Sequence, residues 1–349
     1  MEIKKIIYGN DAICKAIIKG DSGREYVTSI DGDTYDTWCT CPWWILKGKQ
    51  VTTCKHIIYL IDNLDWSKMK PTKRFENFLS ECTTIDTLMG NGFPLGSVTA
   101  IFGQPGQGKT LLTAQLALSC IKNLKKDVII LETEGNREQD YLELLLRFSD
   151  RFNLTEKEII KHIHFFTVLG DFDNQAIVIL LQMVGYKAEL EKSKKGDKYT
   201  VTFKEIKPKL KEELLENTGM IVIDSLTKPL KSSIGHKTQN LPARADLVAR
   251  FFDRIYQIAY KHNIAILINH HASIDNMKWG RDFGKVYGGD EVLYNSKYVM
   301  ELIDSDMAAR AKYGKSARRI LLLKHPFNPV TGNLFPVNLK ADYGFCDKD

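Results

Sequence analysis

From residue 83 onward, short runs of apolar residues alternate with longer amphipathic stretches. Each apolar run has the length of a buried β-strand and is bounded by polar or turn-forming residues. The runs are residues 98–102, 128–131, 163–168, 220–223, 264–268 and 320–323. Between them, residues 110–124 and 137–152 repeat apolar side chains at i, i+3 and i+4 and are predicted to be helices. This alternation predicts an α/β domain with a mostly parallel sheet.

The first part of the chain follows a different pattern. Two β-type runs, residues 26–30 and 34–40, flank a turn at 31–33, and a short apolar helix is expected at 57–61. These elements predict a small N-terminal domain that is separate from the α/β domain.

The predicted domain boundaries follow from where these patterns change. The small domain covers residues 1–66, residues 67–82 are interpreted as a linker, and the large domain covers residues 83–349. Residues 186–213 are dense in charge, and we interpret them as an insertion in the large domain built around a β-hairpin.

Composition limits the classes of protein that fit these patterns. The chain has 349 residues, of which 44% are hydrophobic and 26% charged, a balance that excludes wholesale disorder. A net charge of +6 permits a polyanionic partner without requiring one. We find no apolar run whose length approaches the about 20 residues that are needed to span a bilayer, and no secretory signal peptide. We therefore expect a cytoplasmic protein with reduced thiols and no membrane partner.

A phosphate-binding loop is indicated by residues 103–110, which read GQPGQGKT and match G-x-x-x-x-G-K-[ST] in full. The motif follows one apolar run and opens a predicted helix, so that backbone N–H groups can converge on phosphate oxygens. An ordinary glycine-rich turn is the alternative interpretation. The residues predicted to contact ATP are Gly103, Gln104, Pro105, Gly106, Gln107, Gly108, Lys109, Thr110 and Leu111.

Within this loop, Lys109 is expected to reach the β- and γ-phosphates, and Thr110 is expected to ligate Mg²⁺. Asp224 ends the apolar run 220–223 and is predicted to hold the same ion through water. Because an apolar strand that ends in Asp is common for structural reasons, the assignment of Asp224 depends on the phosphate loop.

Three longer segments together resemble one family of ATPases. They read TTIDTLMGNGFPLGSVTAIFGQPGQGKTLLTAQLA, ETEGNREQDYLELL and IVIDSLTKPLKSSIGHKTQNLPARADLVARFFDRIYQIAYKHNIAILINHH. With these segments, residues 83–345 resemble the RecA/RadA/Rad51-type recombinases, most closely archaeal RadA/RadC-like ATPases. The resemblance implies a RecA-like fold, DNA-stimulated ATP hydrolysis and a role in recombination and repair. It also implies a homo-oligomer, or a hetero-oligomer with a RadA-type recombinase.

The resemblance also implies roles for three further residues. Glu134 corresponds to the carboxylate that orients the attacking water. Arg137 would stack on adenine, with a solvated arginine in the first helical turn as the alternative. His270 stands where the family usually has the glutamine that senses the γ-phosphate, with a buried histidine at the end of a strand as the alternative.

Two basic segments are predicted to contact single-stranded or double-stranded DNA, and each has a solvated loop as its alternative. The first, residues 226–244, has the composition of a mobile loop, and the second, residues 272–287, mixes basic and aromatic residues. The candidate contacts are Lys228, Lys231, Lys237, Arg244, Lys278, Trp279, Arg281 and Lys285. A third basic run, residues 312–319, and Lys324 are candidates for a cation supplied to a neighbouring subunit.

Cys39, Cys41, Cys54 and His56 form the pattern C-x-C-x12-C-x-H. Three thiolates and one imidazole make a closed tetrahedral set for Zn²⁺, and the pattern resembles the SWIM zinc finger. Redox-active or unligated cysteines are the alternatives. The tryptophans beside the ligands are interpreted as the core of the small domain, with base stacking or partner contact as the alternative: Trp38, Trp43 and Trp44.

A function of another class fits the same motifs. A circadian-clock-like (KaiC-type) regulatory ATPase shares the ATPase core, and its zinc finger would hold protein partners rather than DNA. DNA binding in the presence and absence of ATP separates this alternative from a recombinase.

Overall fold

The protein is described here by a computed structural model. It describes residues 1–8, 13–31, 37–42, 54–64, 77–169, 176–192, 199–234, 241–272, 292, 295–305, 314, 316–326 and 334–347. The chain divides into two compact units, Met1–Glu76 and Asn77–Asp349. None of the helices in these ranges is both long and apolar enough to cross a bilayer.

The described part of the small unit contains an antiparallel sheet and a helix. Its strands lie in the order β1 (Glu2–Tyr8), β2 (Ile13–Lys19), β3 (Glu25–Asp31) and β4 (Thr37–Cys39), and α1 spans Lys55–Asp62. The pairing of β3 with β4 confirms the predicted pair of strands, whereas the β1–β2 hairpin was not predicted.

Strict alternation along the strands builds the core of the small unit. Cys14, Ala16 and Ile18 of β2 are buried, while Lys15 between them is exposed. Leu60 of α1 belongs to the same apolar cluster, so the helix covers one face of the sheet.

The interpretation of Trp38 as a core residue is wrong. Its side chain is 51% exposed, because the neighbouring Cys39 points into the unit and adjacent strand residues face opposite ways. Trp43 and Trp44 lie outside the described residues.

The large unit is a nine-stranded sheet of mainly parallel strands, as predicted. Its strands are β7 (Val98–Gly103), β8 (Asp127–Glu132), β9 (Ile163–Thr167), β12 (Thr218–Asp224), β13 (Ala265–His271), β14 (Tyr298–Asp304), β15 (Ala317–Lys324), β16 (Leu334–Lys340) and β17 (Gly344–Cys346). They lie in the order β17-β16-β15-β14-β7-β13-β12-β8-β9. All neighbours from β14 to β9 pair in parallel, and the three pairs at the other end are antiparallel.

Helices cover both faces of this sheet, which explains why its central strands are apolar throughout. These helices include α2 (Thr83–Leu88), α3 (Lys109–Leu124), α4 (Glu138–Phe152), α5 (Glu156–His162), α6 (Ala176–Val184), α7 (Glu212–Asn217), α8 (Thr227–Ile234) and α9 (Leu241–His262). Helices α3 and α4 pack on one face with Leu267 of β13, and α6, α8 and α9 pack on the other with Ile268.

Two segments differ from the sequence interpretation. Residues 77–82, assigned to the linker, begin the large unit: β5 (Asn77–Phe78) pairs with β6 (Phe93–Pro94), and the side chain of Phe78 is buried. Residues 227–234, assigned to a mobile loop, form helix α8. The helix forms because Leu226 and Leu230, one helical turn apart, are both buried in the core.

The predicted insertion contains the expected hairpin. Strand β10 (Tyr186–Lys192) pairs antiparallel with β11 (Tyr199–Glu205). It packs on α9 through cation–π contacts of Arg254 with Tyr186 and of Arg250 with Phe203. Tyr186 and Ala188 of β10 are buried in the same apolar cluster as α9, so the hairpin packs on the core of the large unit.

Candidate nucleotide site and metal centre

The loop of residues 103–110 leaves the carboxyl end of the central strand β7 and enters α3. Gly103 has a φ of 155°, and a Cβ there would lie 2.4 Å from the carbonyl oxygen of Leu302 on the neighbouring strand. Gly108 has a φ of 97°, and its Cβ would lie 2.7 Å from Cδ2 of Leu339. Glycine is therefore required at both positions. The first N–H groups of α3, which have no partner within the helix, form an anion site at this end.

Lys109 lies buried in the mouth of this loop. Its Nζ donates to the carbonyl oxygens of Gly103 and Gln104, each at 3.0 Å. Burial lowers the pKa of its ammonium group, while the carboxylates of Asp224 and Glu134 oppose this effect. The loop thus holds the ammonium group of Lys109 at the place where the phosphates of a nucleotide would bind.

Thr110 and Asp224, both assigned to Mg²⁺ from sequence, are brought together by the fold. The Thr110 hydroxyl donates to Oδ2 of Asp224 at 2.7 Å. Burial raises the pKa of Asp224, and hydrogen bonds from Asn269 and Thr110 partly offset that rise. A hydroxyl beside a carboxylate is an all-oxygen donor set, which fits Mg²⁺.

Glu134 is held by groups from two other segments of the chain. Its Oε1 accepts from Oγ of Ser225 and from Nε2 of His271, both at 2.6 Å. These hydrogen bonds, with the charges of His271 and Lys109, lower the pKa of Glu134 to about 2, although burial acts in the opposite direction. Its carbonyl oxygen accepts from Nζ of Lys228 at 2.6 Å.

Glu132, which the sequence analysis did not single out, builds the turn that carries Glu134. It is fully buried, and its carboxylate accepts the backbone N–H groups of Glu134 at 2.7 Å and Gly135 at 3.0 Å. It also accepts from Nδ2 of Asn136 at 3.0 Å. The sequence signal that could reveal Glu132 is a carboxylate at the last position of an apolar strand. A carboxylate buried there needs hydrogen-bond donors from the protein.

The two adjacent histidines at the end of β13 face opposite sides of the sheet. His270 lies in register with Phe102 on the side of α9, is fully buried, and has no hydrogen-bond partner for either ring nitrogen among the described residues. Burial chiefly lowers its pKa to about 3. His271 lies on the side of Glu134. The geometry therefore brings His271 to the candidate carboxylate, and sensing of the γ-phosphate by His270 stays a prediction.

Arg137 occupies the N-cap position of helix α4. Its guanidinium binds Asp140 through Nε at 3.0 Å and Nη2 at 2.7 Å, and its side chain is 78% exposed. Adenine stacking by Arg137 stays a prediction.

The predicted DNA contacts are only partly described. Lys228 bonds to Glu134, and Lys231 and Arg244 lie in α8 and α9 with side chains that are not described. The others lie outside the described residues: Lys237, Lys278, Trp279, Arg281 and Lys285. In the third basic run, Arg319 donates to the carbonyl oxygen of Asp304 within the same chain.

In the small unit, Cys39, Cys41, Cys54 and His56 meet as the sequence spacing suggests. All four are buried, and one ligand atom from each lies within 4.8 Å of the others. Nδ1 of His56 is 3.9 Å from Sγ of Cys39 and 4.0 Å from Sγ of Cys54.

This geometry fits a tetrahedral Zn²⁺, whose sulfur and nitrogen ligands lie about 3.5–3.8 Å apart at ordinary bond lengths. The backbone N–H of Cys41 donates to Sγ of Cys39 at 3.4 Å, as is usual around a metal-bound thiolate. Burial raises the pKa of the Cys39 thiol, so a cation is needed to hold its thiolate form.

The large unit is similar to known proteins. The AAA domain family matches residues 67–277. DNA repair and recombination protein RadB of Methanococcoides burtonii is 25% identical over 254 residues, which are 73% of this chain and 91% of the relative. DNA repair and recombination protein RadA of Aeropyrum pernix is 23% identical over 189 residues, which are 53% of this chain and 49% of the relative. The chain thus spans about half the length of that RadA.

A crystal structure of the RadB recombinase shares the fold. It superposes with a TM-score of 0.53 at 20% identity, covering 77% of this chain and 99% of that one. Because the matched residues 67–277 make up more than half of the chain, this protein belongs to the AAA domain family, where its relatives are RadB/RadA/Rad51-type recombinases.

Proposed function

We propose that this chain is an ATP-dependent, DNA-binding recombinase paralogue that acts in homologous recombination and DNA repair. One observation carries the proposal: Lys109, Thr110, Asp224 and Glu134, from three separate segments, converge at the carboxyl ends of β7, β12 and β8. The names of the RadB and RadA relatives support the assignment to recombination and repair.

Each residue of this site has a distinct task in hydrolysis. Lys109 and the N–H groups of residues 106–110 bind the phosphates, and Thr110 and Asp224 hold Mg²⁺. When bound, Mg²⁺ neutralises charge on the β- and γ-phosphates. Gly103 to Leu111 thus form the floor of the ATP site, and Arg137 is proposed to stack on the base.

Glu134 orients the attacking water. A carboxylate with a pKa of about 2 is a weak proton acceptor near neutral pH, so its contribution is to direct the water as a hydrogen-bond acceptor. Ser225 and His271 both bind Oε1, and Oε2 accepts from none of the described residues, so it can accept from that water. We assign the sensing role to His271 and retain His270 as the alternative from the resemblance.

The ATPase proposal is tested by comparing nucleotide binding with turnover. Lys109→Ala should abolish both. Glu134→Gln should bind ATP as the wild type does while hydrolysis falls about 10²–10⁴-fold. Unchanged hydrolysis in Lys109→Ala would refute the ATPase proposal. An unchanged rate in Glu134→Gln would refute only the role of Glu134 in orienting the attacking water.

We also propose that DNA binds at the segments 226–244 and 272–287 and stimulates hydrolysis. Lys228 is a poor probe of this contact, because its bond to the carbonyl oxygen of Glu134 ties it to the ATP site. Lys231→Ala combined with Lys237→Ala is the better variant. It should weaken single-stranded DNA binding while basal hydrolysis stays unchanged.

The KaiC-type regulatory ATPase remains the competing proposal. It predicts hydrolysis without DNA binding in any nucleotide state, and a finger that captures a protein. Measuring DNA binding with ATP, with ADP and without nucleotide therefore decides between the two. Light scattering with and without a RadA-type recombinase tests the proposed homo- or hetero-oligomer.

For the small unit we propose a SWIM-type zinc finger whose ligands are Cys39, Cys41, Cys54 and His56. The four buried donor atoms within 4.8 Å of one another support it. Elemental analysis should find one zinc per chain, and Cys54→Ser should lose it. Because Cys14 is buried in the same unit outside the ligand set, Cys14→Ser is the matched control.

A further inference from the structure

A buried threonine joins the two strand ends that carry the proposed ATP site. Thr133 follows the last residue of β8, and Ser225 follows the last residue of β12, the neighbouring parallel strand. The backbone N–H of Thr133 donates to the carbonyl oxygen of Asp224 at 2.9 Å, just beyond the pair formed by Asp224 and Glu132. The two strands are therefore still hydrogen-bonded to each other where the chain turns toward the site.

Beyond this bond, the side chain of Thr133 takes the place of a backbone partner. Its Oγ1 accepts the backbone N–H of Ser225 at 2.8 Å, and the same hydroxyl donates to the carbonyl oxygen of Ser225. Both residues are buried, so the protein itself must satisfy these two backbone groups. One hydroxyl does so, because it can donate and accept at the same time.

Ser225 in turn holds the carboxylate that is proposed to orient water. Its Oγ donates to Oε1 of Glu134 at 2.6 Å, and Glu134 is the residue that follows Thr133. These contacts close a ring. The Thr133 hydroxyl fixes the backbone of Ser225, the Ser225 hydroxyl fixes the carboxylate of Glu134, and the peptide bond leads from Glu134 back to Thr133.

The buried carboxylate of Glu132 has a different role from the hydroxyl of Thr133. The bonds described for the Glu132 side chain all go to residues 134–136, so they shape the turn from within. The Thr133 hydroxyl instead reaches the neighbouring segment, which carries Asp224. It thus fixes the water-orienting carboxylate relative to the carboxylate proposed to hold Mg²⁺. In-line attack depends on this geometry, and a misplacement of about 1 Å can cost about 10²-fold in rate.

We propose that Thr133 is a positioning residue for ATP hydrolysis, which holds Glu134 in place through Ser225. The inference rests on the proposed ATPase function. Because the hydroxyl of Thr133 is buried and bonded to Ser225, its removal should slow the chemical step without weakening the binding of nucleotide. A threonine that only satisfied buried backbone groups would lower the stability of the protein without this selective effect on the rate.

The test compares two replacements of Thr133 in the full-length chain with Mg²⁺ and ATP. Thr133→Val keeps the size of the side chain and removes the hydroxyl, so kcat should fall about 10- to 100-fold while the affinity for ADP stays unchanged. Thr133→Ser keeps the hydroxyl and should restore most of the rate.

Thr218→Val is the matched control. Thr218 is buried at the opposite end of β12, and its hydroxyl also donates to a backbone carbonyl oxygen, that of Leu214. This variant should lower the melting temperature and leave kcat unchanged. An equal loss of kcat in Thr218→Val and Thr133→Val would overturn the inference.

Two double-mutant cycles show whether Thr133 acts through Glu134. In the first, adding Thr133→Val to Glu134→Gln should slow hydrolysis no further. In the second, which is read by urea unfolding, Glu134→Gln should cost less stability in the Thr133→Val background than in the wild type. Additive effects in either cycle, or a normal kcat in Thr133→Val, would overturn the inference.

These outcomes are separate from a failure of the ATPase proposal. If Lys109→Ala abolishes hydrolysis while Thr133→Val leaves kcat unchanged, only the role of Thr133 is refuted. If hydrolysis survives in Lys109→Ala, the ATPase proposal is refuted, and the unfolding cycle still measures the coupling of Thr133 to Glu134.

Discussion

The imidazole of His271 donates from Nε2 to Oε1 of Glu134 at 2.6 Å, across 137 positions of sequence. The backbone N–H of His271 donates in turn to Oγ1 of Thr227 at 2.8 Å, at the start of α8. The carboxylate proposed to orient water is thus joined to the last residue of β13 and to the first turn after β12. Both segments lead into the regions proposed to bind DNA.

Replacing His271 should slow hydrolysis without changing ATP affinity. In His271→Ala, Oε1 of Glu134 loses one of its two anchors, so we expect kcat to fall about 10- to 100-fold with KM nearly unchanged. His271→Gln should recover part of the rate, because the amide can donate to the same oxygen. Steady-state kinetics with a melting curve for each variant measure both effects.

The neighbouring histidine provides the contrast. His270→Gln changes a buried residue that makes no hydrogen bond to Glu134, so it should lower the melting temperature more than it lowers kcat. A large kcat loss in His270→Gln, with a normal rate in His271→Gln, would restore His270 as the sensor.

The ionisation of Glu134 should appear in the pH dependence of stability. Its pKa falls from 4.5 to about 2 on folding, so the contribution is complete above pH 4.5 and disappears as the pH falls toward 2. After allowance for partial solvent screening, we expect about 1–2 kcal/mol. Urea unfolding of the wild type and Glu134→Gln at pH 7, 4 and 3 should show this gap narrowing as the pH falls. A constant gap would mean that Glu134 is not held by these partners.

Gly108→Ala should be more harmful than Gly106→Ala. Both glycines have positive φ, 97° and 79°, and alanine there costs about 1–2 kcal/mol. Only at Gly108 would the new methyl group also meet Leu339 and Phe345; at Gly106 it meets nothing within 4 Å. Urea unfolding should therefore give a loss at least 1 kcal/mol larger for Gly108→Ala. Equal losses would contradict the packing of residues 339–345 against the loop.

Removing metal should unfold the small unit selectively. Without a cation the buried cluster must hold protonated thiols in a unit whose core is small, so a chelator should expose residues 1–64 to protease. Limited proteolysis and circular dichroism before and after zinc is restored measure the change. Cys14→Ser should respond to chelator as the wild type does. Cys54→Ser should be cleaved by the protease even when no chelator is added. Protection that persists in the chelated wild type would refute a structural metal.

Much of the architecture followed from local patterns. The six apolar runs became strands of the main sheet, and the helices at 109–124 and 138–152 begin and end within a residue of the prediction. The segment 227–234 was misjudged because its lysines and proline suggested a loop, whereas burial of Leu226 and Leu230 stabilises a helix. The hairpin β1–β2 was missed because its alternation mixes isoleucine and lysine, and register rather than composition decides which face is buried.

The sequence by itself determined the phosphate loop, the Thr110–Asp224 pair and the Cys/His set, because each depends on residue types at short spacing or at the end of a recognisable strand. Only the tertiary structure decided that His271 rather than His270 reaches Glu134, that Lys228 bonds to the backbone carbonyl of Glu134, and that Trp38 faces solvent. The physical reason is that neighbouring residues on a strand point to opposite faces. Which of them meets a partner from a distant segment is settled when the sheet packs.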